Sequence, residues 1–145
     1  MDEETAIALF KALKPLKKKW ACQISMNVAL QDNLLNLMKE SGCVMLLIGF
    51  EFLNKENLKR MKKSANLAID DYDRAIANIY KHGLLICATF VLGYNEDKRE
   101  SIDQTMDFAI KHHFTVANFN PLIPMLGTPL YIRLEGEGRL IYDKW

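Results

Sequence analysis

Two apolar runs constrain the fold of this chain more than any other feature of its sequence. The runs are Cys43–Phe50 and Leu84–Leu92, and apart from Thr89 neither contains a polar side chain. A strand that keeps one face in water alternates apolar with polar residues, whereas a strand of a parallel sheet is covered on both faces and does not alternate. The two runs therefore predict neighbouring strands of a parallel sheet, covered by protein on both faces.

Helical patterns separate the predicted strands, which is typical of an α/β fold with right-handed crossovers. Residues 121–145 show no such pattern and predict an irregular tail, so residues 1–145 are interpreted as a single domain. Strands are predicted near 20–25, 43–50, 84–92 and 115–120, and helices at 2–13, 32–40, 54–61, from Asp70 or Asp71 to His82, and at 97–113.

The spacing of apolar residues predicts which face of each helix is buried. In the helix at 32–40, Asp32 is expected to cap the first turn, and the buried residues are expected to be Leu34, Leu35, Leu37 and Met38. In the helix at 97–113, the expected buried stripe is Ile102, Met106, Ala109 and Ile110.

Composition excludes several classes of function. The 145 residues carry 19 basic and 18 acidic side chains, a formal net charge of +1, so no bulk field attracts nucleic acid or an anionic membrane. No apolar stretch reaches the ~18 residues of a membrane span, and the opening Met1–Thr5 is acidic, unlike a signal peptide. These features predict a cytoplasmic protein.

The three cysteines, Cys22, Cys43 and Cys87, are far apart in sequence and each lies in an apolar segment. Metal sites usually use closely spaced cysteine pairs, whereas an isolated cysteine behaves as a small hydrophobic residue. We therefore expect buried thiols and no metal ligands.

Polar residues and a glycine follow the predicted strands. Ligands of parallel α/β folds meet the carboxyl ends of the strands, so these positions are the candidate site. An unpaired carboxylate directly after an apolar run is costly to bury, which makes Glu51 the most informative of them. A solvent-exposed loop glutamate and an ordinary turn glycine remain open alternatives. The candidates are Ser25, Asn27, Glu51, Gly93 with Asn95 and Glu96 beyond it, Asn118 and Asn120.

Several short motifs, taken in order, resemble the radical S-adenosylmethionine (SAM) proteins of the cobalamin-binding type. This group includes anaerobic magnesium-protoporphyrin IX monomethyl ester oxidative cyclases and cobalamin-dependent methylases. The resemblance spans roughly residues 20–142. Its motifs are Trp20 with Gln23, Ser25 and Asn27; Leu34–Cys43; Ile48–Glu51; Asn57–Lys63; Gly83–Gly93 with Phe90; Pro124 with Gly127 and Thr128; and Glu137–Leu140.

The resemblance implies a partial (βα) barrel of six units, of which this chain would form the third to sixth strands. The cysteine triplet that binds the four-iron four-sulfur cluster in this family is absent from the sequence. The chain would then be a C-terminal fragment of the barrel, inactive in isolation, with no cofactor firmly bound. Its partners would be the missing N-terminal half of the barrel, a small-molecule substrate and other copies of itself.

The resemblance also implies roles for individual residues. Glu51 would face the ribose or amino group of SAM, Ser25 and Asn27 its polar end, and Leu92 and Gly93 its adenosyl group. Backbone from Asn120 to Leu122 would approach the adenine. No catalytic residue and no metal ligand is implied in this chain.

In the parent enzyme, SAM and the cluster would generate a 5′-deoxyadenosyl radical. The reaction would resemble tetrapyrrole oxidative cyclisation or cobalamin-dependent methyl transfer, with the use of cobalamin left open. The alternative is a stand-alone small-molecule-binding or interaction module of α/β type, without catalysis.

Overall fold

The computed structural model describes residues 2–50, 69–95 and 97–141, with the side chains of residues 69–71 left out. The predicted helix at 54–61 and Glu51 lie outside the described residues. The helices are α1 (Glu3–Leu13), α2 (Asp32–Glu40), α3 (Ile69–Lys81), α4 (Arg99–Lys111) and α5 (Pro129–Gly136), with short 3-10 helices at Lys14–Leu16 and Met26–Leu30. The strands are β1 (Trp20–Ile24), β2 (Cys43–Gly49), β3 (Leu85–Leu92) and β4 (Val116–Pro121).

The four strands form one parallel sheet in the order β1-β2-β3-β4. This confirms the predicted α/β class, and each predicted strand is present with bounds that differ by at most one residue at either end. The predicted irregular tail at 121–145 is wrong in part, because Pro129–Gly136 forms α5, which begins after the capping side chain of Thr128. The sheet order follows the chain order, as expected when each crossover adds the next strand on the same side. β1 and β4 are the edge strands of the described sheet.

One face of the sheet, the outer face, is covered by helices. On this face Leu46, Ile48, Ile86, Ala88 and Phe90 are at most 1% exposed. They belong to one apolar cluster, to which α1 contributes Phe10, α2 Leu35, α3 Ile76 and α4 Phe108.

The opposite, inner face is not covered by helices within the described residues. On this face Leu85 is 45% and Val116 is 39% exposed. The prediction that protein covers both faces is therefore wrong for this part of the chain. In a partial barrel the inner face of the sheet lines the barrel interior. The apolar residues of β2 and β3 on this face therefore lie toward that interior and not against a layer of helices.

Aromatic rings form the centre of the outer-face core. Phe50 lies 5.8 Å from Phe90, 5.7 Å from Phe108 and 5.0 Å from Phe114, measured between ring centroids. Tyr72 joins the cluster from α3 at 5.8 Å from Phe50. The cluster therefore ties the C-terminal ends of β2 and β3 to α3 and α4.

The orientation of α4 differs from the prediction. The helix begins at Arg99, and the predicted core residues Met106 and Ile110 are 48% and 67% exposed. Phe108 and Thr105 are buried in their place. The Phe108 ring packs into the aromatic cluster. This contact turns a different face of α4 to the core than the face that the spacing of its aliphatic residues predicts.

The predicted helix caps also need correction. Asp32 is the first residue of α2, and the cap position is held by Gln31, whose side chain makes no capping hydrogen bond. The Asp32 carboxylate instead lies 3.5 Å from Nε2 of His82, so it contacts the end of α3 and does not cap α2. α3 begins at Ile69, so Asp70 and Asp71 lie inside it. The predicted buried face of α2 is confirmed at Leu34, Leu35 and Met38, while Leu37 is half-buried.

The cysteine predictions are confirmed in part. Cys43 and Cys87 are buried, whereas Cys22 is half-buried, and all three thiols are free. The Cys43 thiol donates to the carbonyl of Met45 at 3.7 Å, and the interaction between the Cys22 and Cys43 thiols lowers the pKa of Cys22 and raises the pKa of Cys43.

His112 makes the free energy of unfolding depend on pH. Its side chain is 9% exposed, packed 4.4 Å from the ring of Phe108, with Nε2 3.0 Å from a carboxylate oxygen of Asp73. Burial lowers the pKa of His112 below 6.5, against the opposing effect of Asp73 and with the help of Lys111 and His113. The pKa of Asp73 is lowered too, chiefly by its hydrogen bond from Lys111. The titration of Asp73 therefore changes the free energy of unfolding only near and below pH 4.

We therefore expect the free energy of unfolding to fall as the pH is lowered from 7.5 to 5, because the unfolded state binds the His112 proton more readily. The slope from one such group is at most about 1.4 kcal/mol per pH unit. Urea titrations at several pH values measure it. His112→Gln should flatten the curve, and His113→Asn, at an exposed position with φ 50°, should change it much less, since His113 makes the smallest contribution to the shift of the His112 pKa. An unchanged slope in His112→Gln would contradict the assignment.

Candidate functional site

The end of β3 is shaped by a glycine and an aspartate. Gly93 has φ +103°, a conformation that side chains disfavour, and the chain turns there. The Asp97 carboxylate accepts hydrogen bonds from the backbone N–H of Gly93 at 2.7 Å and of Tyr94 at 3.0 Å. Two bonds to one charged oxygen hold the turn in a single conformation.

The end of β4 lies against this turn. The backbone N–H of Leu122 donates to the carbonyl of Leu92 at 2.7 Å, and the side-chain amide of Asn120 donates to the carbonyl of Phe90 at 3.4 Å. The predicted site residues Leu92, Gly93, Asn120 and Leu122 are therefore brought together at one rim of the sheet. Here we call these four residues the β3–β4 rim.

Ser25 and Asn27 lie at a different place. They follow β1, where the Ser25 hydroxyl donates to the side-chain oxygen of Asn27 and both residues are exposed. β1 is separated from β3 by β2, a distance of about 10 Å at the usual strand spacing. The two residues also line an open cavity of about 410 Å³ beside the free edge of β1, together with Phe10, Trp20 and Cys22.

The described residues at the end of β2 lie between these two groups. Phe50 donates its backbone N–H to the carbonyl of Thr89 at 2.9 Å, so pairing with β3 continues to the last described residue of this segment. Glu51, the next residue and the most informative candidate, lies outside the described residues.

The inner face below the rim is ordered in rows by the strand register. One row is apolar apart from its edge residue, and the row above it is polar or without a side chain. The lower row holds Gln23, Leu47, Cys87 and Val116; the upper row holds Gly49, Thr89 and Asn118. In these two rows no side chain is charged, so this surface can offer hydrogen bonds and apolar contact.

Two features of this site were not predicted from the sequence. Asp97 was assigned to the first turn of a helix, although it fixes the turn at Gly93 from a position before α4. An aspartate four residues after a glycine at a strand end was the available signal, because aspartate commonly accepts backbone N–H groups in turns. The depth of Asn118, one row below Asn120, follows only from the strand register.

Within the described part of the chain, no three His, Cys, Asp or Glu side chains are grouped closely enough to hold a metal ion. The described helices also include none that could cross a membrane.

Comparison with protein families gives a match to the model described as the radical SAM superfamily, over residues 1–109. The chain belongs to the radical SAM superfamily. The match includes β1, β2 and β3 together with most of α4, and so covers three of the four strand ends at which SAM was predicted to bind; β4 lies beyond it.

The curated relatives of this radical SAM chain are methyltransferases by name. Bacteriochlorophyllide d C-12(1)-methyltransferase of Chlorobaculum tepidum is 31% identical over 138 residues, covering 94% of this chain and 30% of that protein. Hopanoid C-2 methylase of Rhodopseudomonas palustris is 28% identical over 123 residues, covering 85% of this chain and 23% of that protein. The chain thus spans less than a third of the length of either relative.

Solved structures show the same fold. The radical SAM methyltransferase TsrM from Kitasatospora setae, with cobalamin and a 4Fe-4S cluster bound, superposes with a TM-score of 0.77 at 15% identity, over 93% of this chain and 28% of that one. Methylornithine synthase (PylB) gives 0.68 at 15% identity, over 88% and 37%. These matches confirm the predicted fold, a partial parallel (βα) barrel.

Proposed function

We propose that this chain forms part of the catalytic barrel of a cobalamin-dependent radical SAM methyltransferase. The observation that carries the proposal is that the chain matches methyl-transferring relatives over 85–94% of its length. Neither of these relatives is named as an oxidative cyclase, so methyl transfer is preferred over ring oxidation.

The β3–β4 rim is proposed to bind the adenosyl end of SAM. Gly93 presents backbone without a side chain, and an added Cβ would meet only Leu122, at 3.8 Å. A planar base can therefore approach the backbone of Leu92 and Gly93 from this side. Backbone from Asn120 to Leu122 lies next to Leu92 through the 2.7 Å hydrogen bond and would border the adenine.

The other end of SAM is proposed to face Ser25, Asn27 and Glu51. Ser25 and Asn27 are exposed and offer hydroxyl and amide groups to the polar methionyl part. Bound beside a four-iron four-sulfur cluster, SAM supplies the methyl group and the radical chemistry of the family. This chain's part is to orient the cofactor and to exclude water from it.

The residues of this chain do not fit the cluster itself. Its ligands are closely spaced cysteines in this family, whereas Cys22, Cys43 and Cys87 are separated by at least twenty positions and include two buried thiols. We propose that the cluster is held by a different part of the polypeptide.

The free edge of β1 is the proposed contact with that part. The 410 Å³ cavity beside β1 is lined by apolar groups of Phe10, Trp20 and Val28, and the edge carries unpaired backbone groups in the described sheet. The N-terminal half of the barrel would pair there. The isolated chain is expected to self-associate through the same edge, and sedimentation of a monomer at high concentration would contradict this expectation.

Substitution of Asp97 tests the rim. In the full-length polypeptide, Asp97→Ala is expected to weaken SAM binding by about 10-fold, since two charge-assisted hydrogen bonds that hold the Gly93 turn are lost. Asp97→Asn keeps an acceptor and should lose less. Anaerobic calorimetry with SAM measures both, and the formation of S-adenosylhomocysteine measures methyl transfer.

The matched control is Asp103→Ala, which removes an exposed aspartate from α4. It should leave the affinity unchanged. Equal affinities in Asp97→Ala and Asp103→Ala would place SAM away from the β3–β4 rim. A full-length protein that binds no SAM would overturn the proposed function.

A further inference from the structure

We propose that the inner face of the sheet binds an uncharged, apolar substrate group that carries a hydrogen-bond donor, and that Oδ1 of Asn118 accepts the hydrogen bond. The donor would be a hydroxyl or a ring N–H. The inference rests on the proposed function, because it assigns the substrate side of the same barrel.

The first step is the orientation of the Asn118 amide. Its Nδ2 points to Sγ of Cys87 at 3.8 Å on the neighbouring strand. Sulfur is a weak acceptor, and this contact uses the donor side of the amide. Within the described residues Oδ1 accepts no hydrogen bond, and Asn118 is exposed on the inner face. The amide thus presents an acceptor to the interior of the barrel.

The second step is that the neighbours of Asn118 in its row donate no hydrogen bond to its Oδ1. Thr89 turns its hydroxyl to the carbonyl of Ile48 at 3.4 Å, and Gly49 has no side chain. A group that enters over Gly49 therefore meets Asn118 as the amide acceptor of this row, beside the hydroxyl oxygen of Thr89, whose proton is directed at Ile48. The absent side chain at Gly49 also leaves space for a ring.

The third step is the apolar floor beneath the amide. Leu47, Cys87 and Val116 share the next row, and Val116 is 39% exposed at the edge strand. Burial of apolar substrate surface against such a floor is favourable in proportion to its area. An apolar ring system with one polar substituent fits this combination of floor and acceptor.

The fourth step is the absence of charge. Among the residues of the two rows, the Cys87 thiol is the one ionisable side chain, and Cys87 is 5% exposed. A carboxylate or ammonium group in this place would lose its hydration without a counter-charge, which is costly. The face therefore selects a neutral group.

The fifth step is the depth of the site. Asn118 precedes Asn120 by two residues, about 7 Å along β4. The proposed substrate group thus lies one layer below the β3–β4 rim. A substrate held there would lie directly below the cofactor proposed for the rim.

Three neutral or charged pyrene derivatives test the inference in the full-length protein. 1-Pyrenemethanol carries a hydroxyl donor, 1-methylpyrene lacks it, and 1-pyrenecarboxylate is an anion; dissociation constants are measured by fluorescence. We expect 1-pyrenemethanol to bind about 5- to 10-fold more tightly than 1-methylpyrene, as one neutral hydrogen bond provides. The anion should bind at least about 10-fold more weakly than the alcohol.

In Asn118→Leu, which keeps the size of the side chain and removes the acceptor, the alcohol and the methyl compound should bind within about 2-fold of each other. Asn36→Leu, an exposed position on α2, is the matched control and should keep the wild-type ratio. A ratio near one in the wild type, an unchanged ratio in Asn118→Leu, equal binding of the anion, or no binding of any probe would each overturn the inference.

Calorimetry with SAM on the same preparations separates this inference from the proposed function. SAM binding with no discrimination between the probes would refute the substrate site alone. Discrimination that depends on Asn118, without SAM binding, would refute the methyltransferase and leave a site for neutral hydroxylated ligands.

Discussion

Phe90→Ala is expected to lower the free energy of unfolding by about 3–5 kcal/mol, the range for removal of a buried phenylalanine. Phe90 is 1% exposed, and its ring lies 5.8 Å from Phe50, 5.1 Å from Phe119 and 6.3 Å from Phe114. Alanine would leave a cavity among rigid rings that cannot close around it. The ring contacts add about 0.5–1.5 kcal/mol per pair beyond the buried area.

Urea-induced unfolding at pH 7.5 measures this effect, with Phe90→Leu as a milder variant in case the alanine variant does not fold. The control is Phe119→Ala, because Phe119 is 40% exposed and, among the aromatic rings of the described residues, stacks on that of Phe90 alone. We expect it to cost about 1 kcal/mol. Equal effects at the two positions would mean that the aromatic cluster does not form the core.

Gly42→Ala is expected to cost about 3 kcal/mol or more. Gly42 has φ +103°, and a Cβ added there would lie 2.1 Å from the carbonyl oxygen of Lys18, which is backbone and cannot rotate away. The carbonyl of Gly42 also accepts the N–H of Trp20 at 3.2 Å, at the first pair of β1 with β2. Backbone strain of this kind costs about 1–3 kcal/mol, and the overlap adds to it.

The same urea assay applies, with Gly136→Ala as the control. Gly136 is the last residue of α5, and no atom lies within 4 Å of an added Cβ. Alanine should be neutral there or stabilise the helix by up to about 1 kcal/mol. A Gly42→Ala variant as stable as the wild type would show that the segment between α2 and β2 can move away from β1.

The predictability of the site differed between its residues. Gly93 could be identified because a glycine directly after an apolar run marks the end of a strand in a parallel fold, whereas Leu92 and Leu122 followed only from the family resemblance. Asn118 and Asn120 could be identified as polar residues at the carboxyl end of a predicted strand. Their positions along the barrel axis could not be predicted, because both lie within β4 and only their pairing with Thr89 and Val91 assigns them to rows. Asp97 was missed because its role depends on a turn that brings it back to Gly93.

The sequence by itself determined the class of fold, the order of the described α-helices and strands as far as β4, and the bounds of the strands to within about one residue. It did not predict α5, which lies in the expected irregular tail. These properties depend on short-range patterns: apolar runs for β2 and β3, and a continuous stripe for α2. The tertiary structure alone decided the rotation of α4 and the exposure of the inner face. Both depend on contacts between residues distant in sequence, where the ring of Phe108 contributes more packing than Met106 or Ile110 could.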